Sequence, residues 1–279
     1  MKNEVIAFPH IQSEGDINMI CTVCGLDYFT GEYCCNCGYD LEMVHHLMNP
    51  EYHLSKPYAK GAYNIFDQEE QHIRITEGCP NKCLYCAESW ENGTEPIYYE
   101  IPEIVRNKVV ILDMNLLSKP RAKEIIENLG QRRVNGKIVY YELQCGIDYR
   151  FLTQELAACL KRNHFINIRL AWDYGYSLAY KIKDSLNMLT WSGYAARDIQ
   201  VFMIANYRLS AEEFKLKMSS LAWRGVQVAD CWYDNQKKGS VEPIYWTAEQ
   251  IKEISVLSRN HNIMCRHNGI QPELVKKYE

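Results

Sequence analysis

The chain has 279 residues, 47% of them hydrophobic, enough to bury one large core or a core with a small appendage. Its 31 basic and 35 acidic residues are interspersed and leave a net charge of −4, which argues against broad nonspecific attraction to nucleic acid but leaves room for a local basic patch. Residues 1–9 lack the apolar stretch of a secretory signal and no run approaches the roughly 18 apolar residues of a membrane span, so a cytoplasmic protein with no membrane partner is expected. In such a chain, twelve cysteines read as metal ligands rather than disulfides.

Residues 1–47 carry the first cysteine group. Cys21-x-x-Cys24-Gly25 and Cys34-Cys35-Asn36-Cys37-Gly38 resemble the paired turns of a zinc ribbon, with glycines that permit the tight turn aiming backbone amides at sulfur. Cys21, Cys24, Cys34 and Cys37 are the expected zinc ligands, and Cys35 is the spare. Four thiolates close the shell, so the site would stabilise a small module rather than catalyse. A rubredoxin-like iron or a second iron–sulfur cluster are the rival occupants, because spacing alone selects the metal poorly. His45 and His46 are surplus to a four-cysteine site. Residues 48–70, rich in tyrosine, histidine and proline, show no sustained period and are expected to be a linker that buries its aromatics on the next domain.

A short alternating apolar run then leads into Thr-Glu-Gly-Cys79-Pro-Asn-Lys-Cys83-Leu-Tyr85-Cys86. Three cysteines at C-x3-C-x2-C on one loop leave a four-iron cluster one ligand short, whereas clusters used only for electron transfer normally take four. With an aromatic residue just before the last cysteine, the motif resembles that of the radical S-adenosylmethionine (radical SAM) enzymes. The resemblance implies that Cys79, Cys83 and Cys86 hold a 4Fe-4S cluster, with Tyr85 beside the cofactor. It further implies that the open iron chelates SAM, and that one electron from an external donor cleaves SAM to a 5′-deoxyadenosyl radical that abstracts hydrogen from a substrate. The protein's share would be binding, orientation and exclusion of water.

Strand-like runs follow a regular rhythm at 72–76, 108–114, 137–144, 166–172, 199–206 and 226–231, spaced as strands with crossover helices. Pro120 and Gly130 bracket one helix and Asn135-Gly136 a turn. Ser210 with Glu213, and Thr247 with Gln250, form capping boxes, while Gly193 and Gly225 close two more helices. The alternation predicts an α/β fold with a parallel sheet and right-handed crossovers. Six units are too few for a closed eight-unit barrel, and the family resemblance supplies a partial (βα)6 TIM-like barrel over residues 71–239, preceded by the ribbon. Residues 240–279 would add a C-terminal helical extension.

Buried parallel strands usually read as unbroken apolar runs, yet here one parity turns polar at the C-terminal ends: Asp113 and Asn115, then Glu142 and Gln144 with Asp148 and Arg150 following, then Arg169 and Asp173. That pattern predicts a polar lumen with a site at the C-terminal strand ends. The family's Gly-Gly-Glu motif after the second strand, which holds the SAM amino group, is missing. Leu112-Asp113-Met114-Asn115 occupies its place, so Asp113 or Asn115 is the expected acceptor, with Gln144, Arg169 and Asp173 completing the SAM contacts. The rival for Arg169 is a structural ion pair with Glu142. Cys145, Cys159, Cys231 and Cys265 are scattered singly and read as small buried hydrophobes. Substrate stays open among nucleic acid, peptide and small molecule, and no catalytic residue is singled out. The alternative from another class is a metal-binding module that recruits nucleic acid or protein, its cluster serving structure or sensing.

Overall fold

The computed structural model describes residues 29–30, 33–34, 61–81, 83, 85–86, 93–205, 209–222, 224–232 and 246–267. The chain divides into two compact units, Met1–Met48 and Asn49–Glu279. In the first, β1 (Phe29–Thr30) pairs antiparallel with β2 (Tyr33–Cys34). Cys21, Cys24 and Cys37 of the expected zinc site lie outside the described residues, and of Cys34 only the backbone is described.

In the second unit, β3 (Tyr63–Phe66), β4 (Glu70–Arg74), β5 (Thr76–Glu77), β6 (Ile97–Tyr98) and β7 (Lys108–Ile111) precede helix α1 (Ala122–Gly130). A hairpin follows, β8 (Arg133–Val134) and β9 (Lys137–Ile138), turning at Asn135 and Gly136, both at positive φ. Then come β10 (Tyr140–Leu143), β11 (Ile147–Asp148), α2 (Gln154–Arg162), β12 (Ile168–Ala171), α3 (Ala179–Trp191), β13 (Ile199–Ala205), α4 (Ala211–Ala222), β14 (Gln227–Trp232) and α5 (Ala248–His267). The expected strand at 137–144 is thus split: its first two residues close the hairpin and only Tyr140–Leu143 joins the sheet.

β4, β7 and β10 are parallel neighbours, as are β11, β12, β13 and β14, while β3 adds an antiparallel edge to β4. Sequence reasoning missed β3, because its 48–70 stretch shows no sustained period and a pairing partner supplies what the pattern lacks. The two sheets meet at a parallel bridge between Tyr141 and Phe165, where the Tyr141 N–H donates to the His164 carbonyl at 3.1 Å and the Ile166 N–H to the Tyr141 carbonyl at 2.8 Å. The strands β4, β7, β10, β12, β13 and β14 therefore succeed one another in chain order, each crossing over through helices or loops on the way.

Side-chain alternation gives this sheet two unlike faces. One parity is apolar, and Ile73, Ile111, Leu143, Leu170 and Val201 join Ile126, Leu160, Leu189 and Phe214 of α1–α4 in the core. The other parity carries charge. Lys108 lies between Glu70 and Glu142, with its Nζ 3.3 Å from Glu142, and Arg169 approaches Glu142 from the far side at 3.4 Å. Four adjacent strands thus bear a ladder of alternating sign. Helix ends follow their expected caps: the Glu213 N–H donates to Ser210 Oγ, and Thr247 and Gln250 satisfy one another's backbone amides.

Candidate cluster and cofactor site

The cysteine loop leaves the sheet at the C-terminal end of β4. A two-residue antiparallel stem, Thr76 opposite Tyr98 and Glu77 opposite Ile97, closes it. Inside the stem, the Cys79 N–H donates to the Gly93 carbonyl at 3.1 Å. Gly78 has φ 80°, and a Cβ there would lie 2.1 Å from the Glu95 carbonyl oxygen, so only glycine fits. Glu77 anchors the stem: its buried carboxylate accepts from Tyr99 Oη at 2.9 Å and from the Gly61 N–H, with Arg74 at 3.5 Å.

None of the three cysteines is in a disulfide; Cys79 and Cys83 are buried and Cys86 half-buried. Side chains from later strand ends converge on them. Asn115, after β7, directs Nδ2 to Cys79 Sγ at 3.5 Å. Tyr174, after β12, directs its hydroxyl to Cys83 Sγ at 3.7 Å. Arg150, after β11, is held charged first by its hydrogen bonds to Asp148, with Cys83 as a further favourable neighbour, so its basicity rises above the ordinary guanidinium value.

Asp148 is the hub of this arrangement. It accepts from Asn81 Nδ2 at 2.6 Å and Asn115 Nδ2 at 3.5 Å, and from the Arg150 backbone at 3.0 Å. The Arg150 guanidinium grips it twice more, Nε at 2.8 Å and Nη2 at 2.7 Å. Asn81 lies between Cys79 and Cys83, so one carboxylate joins the cysteine loop to donors of both thiols.

On the other flank, the Tyr85 hydroxyl donates to Asp173 Oδ2 at 2.6 Å, and the Tyr85 and Tyr174 rings meet edge-on with centroids 6.2 Å apart. Burial raises the Asp173 carboxyl pKa, and burial followed by the Asp173 charge raises that of the Tyr85 phenol. Beneath them, fully buried Lys217 of α4 donates to the Trp172 carbonyl at 2.7 Å with its ammonium 4.8 Å from the indole centroid. Desolvation pulls its pKa down to about 8, against the favourable pull of Asp173.

The expected SAM contacts divide into groups. Both Asp113 oxygens are already engaged, one by the Ile75 N–H at 2.8 Å and the other by Thr76 Oγ1 at 2.7 Å, and burial pushes its pKa up to about 6. Asn115 differs: its Oδ1 is buried with no hydrogen-bond partner among the described residues, and the residue is held at φ 54°. Arg169 donates Nη1 to Gln144 Oε1 while Nη2 faces Glu142, so the expected ion pair exists and the two expected contacts touch each other. Asp173 is joined to Tyr85. Sequence reasoning missed Asn81, Tyr174 and Lys217. The sole signal for Lys217 was a charge within the apolar stripe Phe214, Met218 and Leu221, all buried.

Among solved structures, radical SAM enzymes resemble this chain. Two are the radical SAM methyltransferase TsrM from Kitasatospora setae, one with cobalamin and a [4Fe-4S] cluster bound and one with tryptophan substrate and a SAM analogue. Both are 13% identical and cover 58% of this chain, with TM-scores of 0.48 and 0.49. A third is coproporphyrinogen III oxidase (HemN) from Escherichia coli, a radical SAM enzyme, 9% identical over 71% of this chain with a TM-score of 0.49. The match spans about a third of the methyltransferase, 36% and 35% of the two chains, and 52% of the oxidase. At these identities and scores the likeness assigns no residue and no reaction to the present chain. No family profile and no curated protein matches the sequence.

The donor set itself can be tested against a cluster. Among the described residues no three His, Cys, Asp or Glu side chains are grouped as they would be around one metal ion. A four-iron cluster asks for something else, since each of its cysteines binds a different iron. Three thiols on a closed loop, hydrogen-bond donors aimed at two of them, and an unsatisfied buried carbonyl beside the first fit a thiolate-held cluster with a further ligand next to it.

Proposed function

We propose that this chain is a radical SAM enzyme whose 4Fe-4S cluster is held by Cys79, Cys83 and Cys86. The observation that carries the reading is the convergence on one closed loop of three cysteines outside any disulfide, with donors from successive strand ends and the unpartnered Asn115 Oδ1 beside Cys79. When bound, cluster and SAM supply one-electron chemistry: SAM is cleaved reductively and a hydrogen atom is taken from substrate. The chain's own residues bind, orient and shield.

In this reading Asn115 offers its Oδ1 to the SAM amino group, both Asp113 oxygens being already engaged by Ile75 and Thr76. Arg169 and Gln144 receive the carboxylate, the guanidinium having N–H groups beyond the two nitrogens' present bonds. Asp173 accepts from the cofactor's hydroxyls together with Tyr85. The six strands in chain order curve as a partial barrel with its mouth at this end, which puts the charge ladder of Glu70, Lys108, Glu142 and Arg169 within the lumen. Cys21, Cys24, Cys34 and Cys37 hold a separate structural zinc. An external donor supplies the electron, and the substrate is a nucleic acid, a peptide or a small molecule. Among the described residues no helix is long and apolar enough to cross a membrane.

Anaerobically reconstituted protein should bind about four irons per chain at these cysteines and, once reduced with dithionite, convert SAM to 5′-deoxyadenosine. Unchanged iron content in the triple Cys79, Cys83 and Cys86 alanine variant, with the fold intact, would overturn the assignment.

A further inference from the structure

We propose that the Asp148–Arg150 ion pair sets the reduction potential of the cluster, Asp148 drawing it down and Arg150 drawing it up, with the pair near balance. The inference rests on the cluster reading above and adds a regulatory role for two residues that hold neither iron nor SAM.

The geometry supplies the argument. Asp148 Oδ2 and Cys79 Sγ are separated by one side-chain amide, Asn115 Nδ2, which stands 3.5 Å from each. The same oxygen accepts from Asn81 within the cysteine loop at 2.6 Å. The carboxylate is half-buried at 11% side-chain exposure, so its charge is screened less than a surface charge would be. Arg150 neutralises it through Nε at 2.8 Å and Nη2 at 2.7 Å while standing on the Cys83 side. One loop turn thus carries both charges, Asp148 linked to Cys79 through the Asn115 amide and Arg150 a neighbour of Cys83. Net charge and hydrogen bonds to sulfur are what tune iron–sulfur potentials.

Removing either partner should therefore act with opposite sign. Arg150→Gln leaves Asp148 unpaired beside Cys79, disfavours the added electron, and lowers the potential. Asp148→Asn leaves Arg150 unpaired beside Cys83 and raises it. The expected change is about tenfold in the reduced-to-oxidised ratio at fixed potential, or about 59 mV for a one-electron couple. The double variant should return near the wild type, because removing both members leaves the local net charge unchanged and the two opposite shifts cancel.

The experiment is an anaerobic redox titration of reconstituted full-length protein followed by EPR, with iron content measured on each sample. Wild-type protein that takes up no reducible cluster would fail the functional reading, and this inference with it. A normal wild-type cluster with single-variant potentials that coincide, or that move in the same direction, would overturn the inference alone. Loss of iron in both single variants, recovered by neither Arg150→Lys nor Asp148→Glu, would make the pair structural and likewise overturn it.

Discussion

Gly78→Ala should open the cysteine loop while leaving the sheet folded. Gly78 and Gly93 face each other's ends of that loop at φ 80° and 81°, but they differ in surroundings: an added Cβ meets the Glu95 carbonyl oxygen at 2.1 Å in the first and nothing within 4 Å in the second. Both substitutions incur the left-handed penalty of about 1 to 2 kcal/mol. Only Gly78→Ala also forces the Glu95 backbone away, which strains the β5–β6 stem and the Cys79 N–H to Gly93 carbonyl bond, costing about 1 kcal/mol for each such bond lost. The closed loop should thus be weakened by about 2 to 4 kcal/mol, or about thirtyfold to a thousandfold, against about tenfold for Gly93→Ala. Iron per chain after reconstitution, with thermal unfolding of the apo form as a control for the core, measures this. Equal iron retention in the two variants would refute the argument that the clash, and not the dihedral, guards the loop.

Asn115→Ala should weaken SAM binding by about tenfold to a hundredfold, the loss of one or two hydrogen bonds to a charged group, with iron content largely kept; isothermal titration on the reconstituted protein reads it. Arg169→Met separates cofactor binding from the ladder: weak SAM affinity with an unchanged melting temperature identifies a ligand contact, whereas lowered stability with normal affinity identifies the Glu142 ion pair as its work. Asp113 has a folded pKa of about 6, raised by burial above the usual carboxylate value, so its contribution to stability is complete below about pH 4 and is lost as pH rises through 6. Asp113→Asn should accordingly compare better with the wild type at pH 7 than at pH 4, read by denaturant melts; an unchanged difference would contradict it. Lys217 is lowered to about 8, so its burial penalty is present below pH 8 and is relieved as pH climbs towards its unfolded value. Lys217→Met should flatten the rise in stability over that alkaline range, and a variant profile parallel to the wild type would refute the shift.

The cysteine triplet, the rhythm of strand and helix, and the caps at Ser210 and Thr247 were legible because each depends on spacing within one short segment. Parity, too, singled out Glu142, Gln144 and Arg169, since a polar residue inside an otherwise apolar strand conflicts with the local rule. What sequence could not separate was Asp113 from Asn115. Both follow β7 at the same parity, and only the packing of Ile75 and Thr76 shows that one carboxylate is committed to the backbone while the neighbouring amide keeps an open oxygen. Asp148 and Arg150 were legible only as polar residues at a strand end; that Asp148 meets Asn81, 67 positions away in sequence, is a tertiary contact no local pattern carries. Tyr174 and Lys217 act through tertiary approach alone, and β3 exists because β4 offers it an edge.

The ladder of Glu70, Lys108, Glu142 and Arg169 also constrains how this sequence can drift. Each inner rung is shared by two neighbours, so neutralising Lys108 or Glu142 removes an ion pair on either side at once. Breaking a buried pair from one side costs about 3 to 5 kcal/mol, while replacing both members can be nearly neutral. Glu142, at 6% side-chain exposure, stands closest to that limit. Lineages of this chain should therefore cross between charged and apolar versions of this face by paired substitutions on adjacent strands. Residues 108 and 142, far apart in sequence, should then covary as closely as neighbours in a helix.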